Sequence, residues 1–349
     1  MTQFPLLRAV RHAVLCFILL AASVARAQLT PNRLYYGVNR TMPMTVKAGG
    51  GDVEIRLWTF GGAEPVAKAA AMAGGVDLAA LFPVLWSRDS YELLYAQLYV
   101  DQKPVGPAVV LDPMVTVDKA TIRDPNTMSP IGDERRGRPV FDSDFRRMTS
   151  QPDRPGVYSG IRAYVDKDVM LETSLGDIRI RLRPDEAPNS AWNFRQLAEG
   201  GFYTDIIFHR IVPAQAGRPG FVVQVGDPTG EGSGGPGYQI DLENSKLPHD
   251  FGVLSMARNG NDPDSNGSQV FICLSREATA ALDGRYTAFG QAISGADTIA
   301  ALGNVKVNGQ TPVDPPVLKK AYLVDAAPFG TGAPPVTAPG GTAAPAGQR

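Results

Sequence analysis

Phe208-His209-Arg210-Ile211-Val212-Pro213, followed by Gly220-Phe221-Val222-Val223-Gln224-Val225-Gly226-Asp227-Pro228, is the stretch on which the reading of this chain turns. Taken singly, Arg210 would be a surface charge on a strand, and Phe221 would be core. The pattern continues downstream. A glycine loop runs from Gly230 to Gly237, and after it come Leu254-Ser255-Met256-Ala257, Asn266-Gly267-Ser268-Gln269-Val270-Phe271-Ile272 and Leu282-Asp283-Gly284-Arg285-Tyr286-Thr287-Ala288-Phe289-Gly290. Two stretches invite other readings and fail them. The glycine loop lacks the Lys-Ser/Thr ending of a phosphate cradle. Asp262-Pro263-Asp264-Ser265-Asn266-Gly267 opens like a calcium loop, yet Cys273 stands at the twelfth position, where a bidentate Glu is required.

These blocks, in this order, resemble the cyclophilin family of peptidyl-prolyl cis-trans isomerases, from about Val169 to Val324. The resemblance implies a mainly β fold, a closed antiparallel β-barrel with two flanking helices. It also implies rotation about X-Pro bonds, whose barrier of about 18 to 20 kcal/mol comes from conjugation of the amide nitrogen with the carbonyl. A cation donating a hydrogen bond to the prolyl nitrogen in the twisted state weakens that conjugation, without nucleophile, metal or cofactor. Arg210 matches the family's catalytic arginine, and Gln224 the residue that orients it and helps hold substrate. Phe221, Phe271 and Leu282 match the proline pocket, with Phe221 also counted among the catalytic positions. Val222, Gln269 and Tyr286 complete the expected substrate site, and Ala257 and Arg258 form its rim.

Departures from the family pattern carry expectations of their own. Val222 stands where many members have Met and Val270 where a second Phe is usual, so both should shrink apolar contacts. Tyr286 replaces a frequent His. Ala281 replaces the tryptophan of cyclosporin-sensitive members, which implies weak cyclosporin binding. The extra residues Ala214 to Pro219 should form a loop beside the groove. His209 reads as a hydrogen-bonded structural residue and His249 as a surface-loop residue.

Upstream of the motif, Val169 to Leu182 alternates apolar residues with Arg179, Arg181 and then Arg183 around Leu175-Gly176-Asp177, a hairpin with one dry and one charged face. Ala191, Phe194, Leu197 and Ala198 have helical spacing, with Asn189 or Ser190 as polar cap and Gly200-Gly201 as the stop. Further upstream, residues 28–117 read as a smaller, β-rich, sandwich-like accessory domain. Val53, Ile55 and Leu57 alternate with polar residues there, Glu92 to Val100 and Val105 to Leu111 are strand candidates, and Ala67 to Ala73 is a short run of helix formers. Residues 118–167 read as a connector, and residues 168–325 as the isomerase-like domain.

The ends read differently. Residues 1–27 carry Arg8 and Arg11, an apolar stretch from Ala13 to Val24 and Ala25-Arg26-Ala27, the layout of a secretory signal peptide. About 12 apolar residues are too few for the roughly 20 of a membrane span, so no stable membrane insertion is expected after cleavage. The expected location is periplasmic or extracellular. Cleavage takes three of the 34 basic residues and none of the 35 acidic ones, moving the net charge from −1 to −4, and it leaves Cys273 alone. No intrachain disulfide, Cys-based zinc site or cysteine redox pair can then form. Residues 326–349 include 17 Ala, Pro or Gly among 24, which reads as a disordered tail.

With 44% apolar residues and no basic excess, nucleic acid is excluded as a partner, and proline-containing segments of flexible or unfolded client proteins are expected instead. A module of the same fold that binds proline peptides, chaperone-like, with little or no turnover is the alternative that Val222 and the insert keep open.

Overall fold

The computed structural model describes residues 27–87, 91–115, 157–260 and 262–340, with the backbone of three short paired strands at 119–121, 135–136 and 151–152. The expected signal peptide, apart from Ala27, most of the connector and the last nine residues lie outside the described residues.

Nine strands build the larger sheet: β1 (Lys167–Thr173), β2 (Gly176–Leu182), β3 (Thr204–Ile207), β4 (Arg210–Ile211), β5 (Val222–Val225), β6 (Val253–Met256), β7 (Val270–Cys273), β8 (Ala288–Ser294) and β9 (Val317–Asp325). Their hydrogen-bonded order is β3-β9-β1-β2-β8-β6-β7-β5-β4, antiparallel throughout. The fold is mainly β, as the resemblance implies, and the expected barrel closes only in part, as an open, curled half-barrel. The end strands β3 and β4 share no ladder, and their flanking amides Phe208 N and Ile211 N donate to Pro316 O and Gln310 O.

Strand alternation sorts the side chains. Ile178, Ile180, Val223, Val225, Leu254, Ile272 and Phe289 point into one core, closed by Phe194 of helix α1 (Pro188–Glu199) and by Ile299 and Leu302 of helix α2 (Ala296–Gly303). The start of α1 departs from expectation. Ala187 occupies the cap position without a side-chain bond, and Pro188 opens the helix. The orphan amides of Asn189 and Ser190, and the Ser190 hydroxyl, instead donate to the Glu243 carboxylate at 2.9, 2.7 and 2.7 Å.

The accessory domain packs a sheet with strands at Tyr35–Gly37, Val53–Trp58, Ala67–Ala70, Leu94–Val100, Val109–Val115 and Tyr158–Val165 against a three-stranded sheet of Gln28–Pro31, Pro43–Lys47 and Gly74–Asp77. Leu29, Met44, Ile55, Leu57, Leu98 and Ile161 share the core between them. Two expectations fail in this domain. Ala67–Ala70 is a strand, because pairing with Val53–Trp58 outweighs the weak helix preference of alanine. Tyr158–Val165, assigned to the connector, pairs with Val109–Val115 and Tyr35–Gly37 and so belongs to this sheet.

The charged face of the β1–β2 hairpin is engaged in ion pairs and only partly exposed. Arg179 and Arg181 converge on the buried carboxylate of Asp168, and Arg181 also reaches Ala333 O. Arg183, bound to Asp185 and Glu186, lies 3.8 Å above the Phe60 ring of the accessory domain. Around it, Tyr95 stacks on Phe329 at 4.5 Å, Tyr164 meets Trp192 at 4.8 Å, and Arg162 and Arg195 lie over the Trp192 ring. Residues 326–340 are therefore no loose tail. The Phe329 amide donates to Gln97 of the accessory domain, Val336 donates to Ala292 O, and Val336 and Ala338 pack on the core of the nine-stranded sheet. A composition poor in charge still orders where preformed aromatic and backbone partners receive it.

Asp166 sits at the joint between the domains. Burial, and after it the charge of Asp168, push its carboxyl up to about 7, with Arg195 and Arg181 offsetting part of the rise. A carboxyl raised above its unfolded value near 4 leaves the native state holding the extra proton, so stability falls as pH rises from about 4 to about 7. Asp166→Asn is expected to remove that slope and to stabilise the protein at pH 8 by about 1 to 2 kcal/mol. Thermal unfolding of both proteins at pH 5 and pH 8 checks this, and parallel pH profiles would contradict it.

Candidate functional site

The ladder register assembles the site. Arg210 of β4 lies opposite Gln224 of β5, Gln224 opposite Phe271 of β7, and Phe271 opposite Ser255 of β6. Direct cross-strand neighbours share a face. Because Val223, Val225 and Ile272 point into the half-barrel, this row lies on its outer surface, over a satellite core of Val222, Val253, Phe271, Cys273 and Ala288.

There Arg210, Phe221, Val222, Gln224, Ala257, Arg258, Phe271, Leu282 and Tyr286 surround a notch of about 120 Å³. Nine of the ten positions expected from the sequence thus meet at one place, and Gln269 stands behind them. Val270 does not belong to the notch. It points into the half-barrel core, so of the two valines only Val222 alters the apolar lining. The insert closes on itself through the Gln215–Arg218 pairing, while its feet hold Phe221 N to Val212 O and Val212 N to Val222 O. It braces Phe221 without lining the notch.

Arg210 is held on two sides. Its Nε donates to Gln310 Oε1 at 2.7 Å and its Nη1 to Gln224 Oε1 at 3.1 Å, while Nη2 makes no hydrogen bond among the described residues. Gln224 Nε2 donates in turn to Gln269 Oε1, and Gln269 Nε2 donates to the carbonyls of Gly232 and Gly234. The relay orients both glutamine amides. It ends on a loop that is itself fixed, since the Asp227 carboxylate accepts from the amides of Thr229, Gly232 and Gly234. Burial would raise the Asp227 pKa, but those amides outweigh it and hold it at about 2. Burial lowers the Arg210 pKa, with Tyr286 acting in the opposite direction. A guanidinium stays charged regardless.

Nothing in the sequence marks Gln310 as part of the site. It lies 100 residues from Arg210, in the turn between the paired strands Val307–Asn308 and Thr311–Pro312, and no local pattern marks it.

The histidines depart from expectation in opposite ways. Neither ring nitrogen of His209 has a hydrogen-bond partner among the described residues, and burial lowers its pKa, so the neutral ring packs beside Gly232. His249 is no surface residue, at 1% exposure. Its Nδ1 lies 3.0 Å from Asp283 Oδ1, its Nε2 lies 2.9 Å from Ser255 Oγ, and its ring lies parallel to Phe271 at 6.0 Å. Burial lowers its pKa more than Asp283 raises it, so the ring is neutral at neutral pH. The order Ser-His-Asp resembles an acyl-transfer relay, but Ser255 is fully buried and no substrate carbonyl can reach it. The three residues support the floor of the notch and the wall carrying Leu282. Cys273 is also out of reach of substrate, its thiol pushed up to about 12 by burial.

Beside the notch opens a polar cleft of about 510 Å³, sharing Gln224, Ala257 and Arg258 with it and bordered by the glycine loop. The Arg258 guanidinium stacks on the Tyr286 ring at 4.4 Å, joining the two walls.

Residues 168–323 match the family model described as cyclophilin type peptidyl-prolyl cis-trans isomerase/CLD. The chain is 40% identical over 164 residues to the peptidyl-prolyl cis-trans isomerase-like 1 of Aspergillus oryzae, a match covering 45% of this chain and 96% of that protein. It is 45% identical over 122 residues to a peptidyl-prolyl cis-trans isomerase of Synechococcus elongatus, covering 35% of this chain and 77% of that protein. Among solved structures, the cyclophilin type isomerase of Cryptosporidium parvum, determined in the presence of the dipeptide Ala-Pro, is 34% identical. It covers 45% of this chain and 98% of its own length, with a TM-score of 0.41.

Proposed function

Because the chain belongs to the cyclophilin-type peptidyl-prolyl cis-trans isomerases, we propose that its notch takes the proline ring of a client peptide while Arg210 lowers the barrier to rotation. The ring lies against Phe221, Val222, Phe271 and Leu282, and the peptide runs along the rim at Ala257 and Arg258. Ring burial is worth roughly 1 to 3 kcal/mol and positions the bond more than it drives its rotation. As the imide twists, its nitrogen becomes pyramidal and basic. The free Nη2 of Arg210 then donates to it, while Gln224 and Gln310 keep the guanidinium from turning away. A donor preorganised in this way lowers a barrier by about 3 to 4 kcal/mol.

The observation carrying this reading is the division of labour on Arg210, with two donors tied to glutamines and one left for the notch. The experiment is exchange spectroscopy on a short Ala-Pro-containing peptide. Cross-peaks between bound cis and trans forms that build up within a second are the expected result, since the uncatalysed exchange takes tens to hundreds of seconds. Binding without acceleration would leave the second reading, a proline-peptide module without turnover, which Val222 favours by thinning the apolar wall.

The clients are proline-containing segments of exported proteins, a reading supported by the signal-like layout of residues 1–27. Ala281, exposed beside the notch, offers no aromatic face to a large macrocycle, so cyclosporin binds weakly.

A further inference from the structure

The notch and the polar cleft continue into a third depression, and from that continuity we infer that this protein binds an extended stretch of client chain, reaching from the proline to the border of the accessory domain. The inference rests on the isomerase reading above and names the form of its substrate. Tyr238 and Gln239 wall both the polar cleft and the next depression, about 450 Å³ in volume, which lies over α1 between Asn189, Trp192, Gln196 and Ile240. Tyr238 forms the ridge between the two. It is 49% exposed, and its hydroxyl is fixed by a 2.6 Å hydrogen bond to Asn193 Oδ1, whose Nδ2 donates to Gly267 O. On the far side of the depression, Trp192 touches the accessory domain, 4.8 Å from the Tyr164 ring and 4.7 Å from the Arg162 guanidinium.

The lining suits a polypeptide main chain. Asn189, Gln196 and Gln239 offer neutral amides that can both donate and accept, and the aromatic side chains of Trp192 and Tyr238 line it with little rotamer entropy to lose. Neither lysine nor arginine lines it, so it does not suit phosphate. Of its two carboxylates, Glu243 has both oxygens bound by the start of α1. The accessory domain thereby gains a part in client binding without reaching the notch, because it holds Trp192 from behind.

Two peptides with the same X-Pro centre test this on the full chain, a tetrapeptide and a version of about fourteen residues extended on both sides. The longer peptide is expected to bind about tenfold more tightly. Trp192→Ala and Gln196→Ala should each remove several-fold of that gain, through KM, while tetrapeptide turnover changes less than about twofold. The indole N–H resonance of Trp192 should shift with the longer peptide and stay in place with the tetrapeptide, a readout that needs no variant. Equal affinity for both peptides, equal losses on both in the variants, or an indole signal indifferent to the longer peptide would each overturn the inference. A tetrapeptide that binds but is not isomerised would instead remove the reading of the notch.

Discussion

Arg210→Ala is expected to lower kcat/KM on a short proline peptide by about two orders of magnitude while leaving the folded state almost unchanged. The size follows from the role. If the donor to the twisted imide supplies about 3 kcal/mol, its loss costs a factor of roughly one hundred, and most of it should fall on kcat because the planar ground state does not use the bond. Stability should move little, because Arg210 is only half-buried and its partners are neutral amides that water can satisfy. Arg210→Lys sharpens the test. An ammonium retains the charge but cannot bond Gln224, Gln310 and substrate with the geometry of a planar fork, so a loss of at least tenfold is expected. Gln310→Ala should reduce kcat by a smaller factor at nearly constant KM, and Arg210→Ala in the same protein should then cost less than it does alone. Exchange spectroscopy with thermal unfolding on each variant decides the matter. Equal rates for Arg210→Ala and the parent would mean that the guanidinium does not reach the imide.

The parts of this site that could be read from sequence are those that the chain writes locally. Arg210, Phe221 and Gln224 fall within fifteen residues, and Phe271 and Leu282 sit in blocks with their own pattern. The ladder then needs only to place β5 between β4 and β7 for the row to form. What could not be read depends on partners far along the chain. Gln310 reaches Arg210 from a turn one hundred residues away, and Glu243 caps α1 from 53 residues beyond Ser190. His249 looks like a loop histidine until Asp283 and Ser255 close around it. Ala67–Ala70 has helix-forming residues and becomes a strand because a neighbouring strand offers its hydrogen bonds. For Ala67–Ala70 the tertiary hydrogen bonds, worth about 1 kcal/mol each, outweigh a local preference of a few tenths, and for the others the partner is too distant in sequence to leave a local mark.

The same logic applies with most force to the end of the chain. Truncation after Asp325 is expected to destabilise the protein by about 3 to 5 kcal/mol, lowering Tm by roughly 5 to 15 °C, with little effect on short-peptide turnover. Residues 326–340 act as a strap. Phe329 fills the aromatic cluster of Tyr95, Phe60 and Trp58 on the accessory domain, at ring separations of 4.5, 6.5 and 6.3 Å. Its amide satisfies Gln97, which is fully buried, and Val336 N donates to Ala292 O of β8 while its side chain packs on the isomerase core. Removing the strap exposes those rings, leaves the Gln97 oxygen without its donor and uncovers Arg181, so one short segment weakens both domains and the seam between them. Phe329→Ala isolates the aromatic part and should account for about half of the loss. The notch lies on other strands and touches none of these residues, so tetrapeptide kinetics should survive. The longer peptide should lose affinity, because Trp192 is held by the accessory domain that the strap secures. Unfolding curves and small-angle scattering on the truncated chain would show a lower midpoint and a larger radius of gyration. An unchanged midpoint would mean that the two domains hold together without the strap.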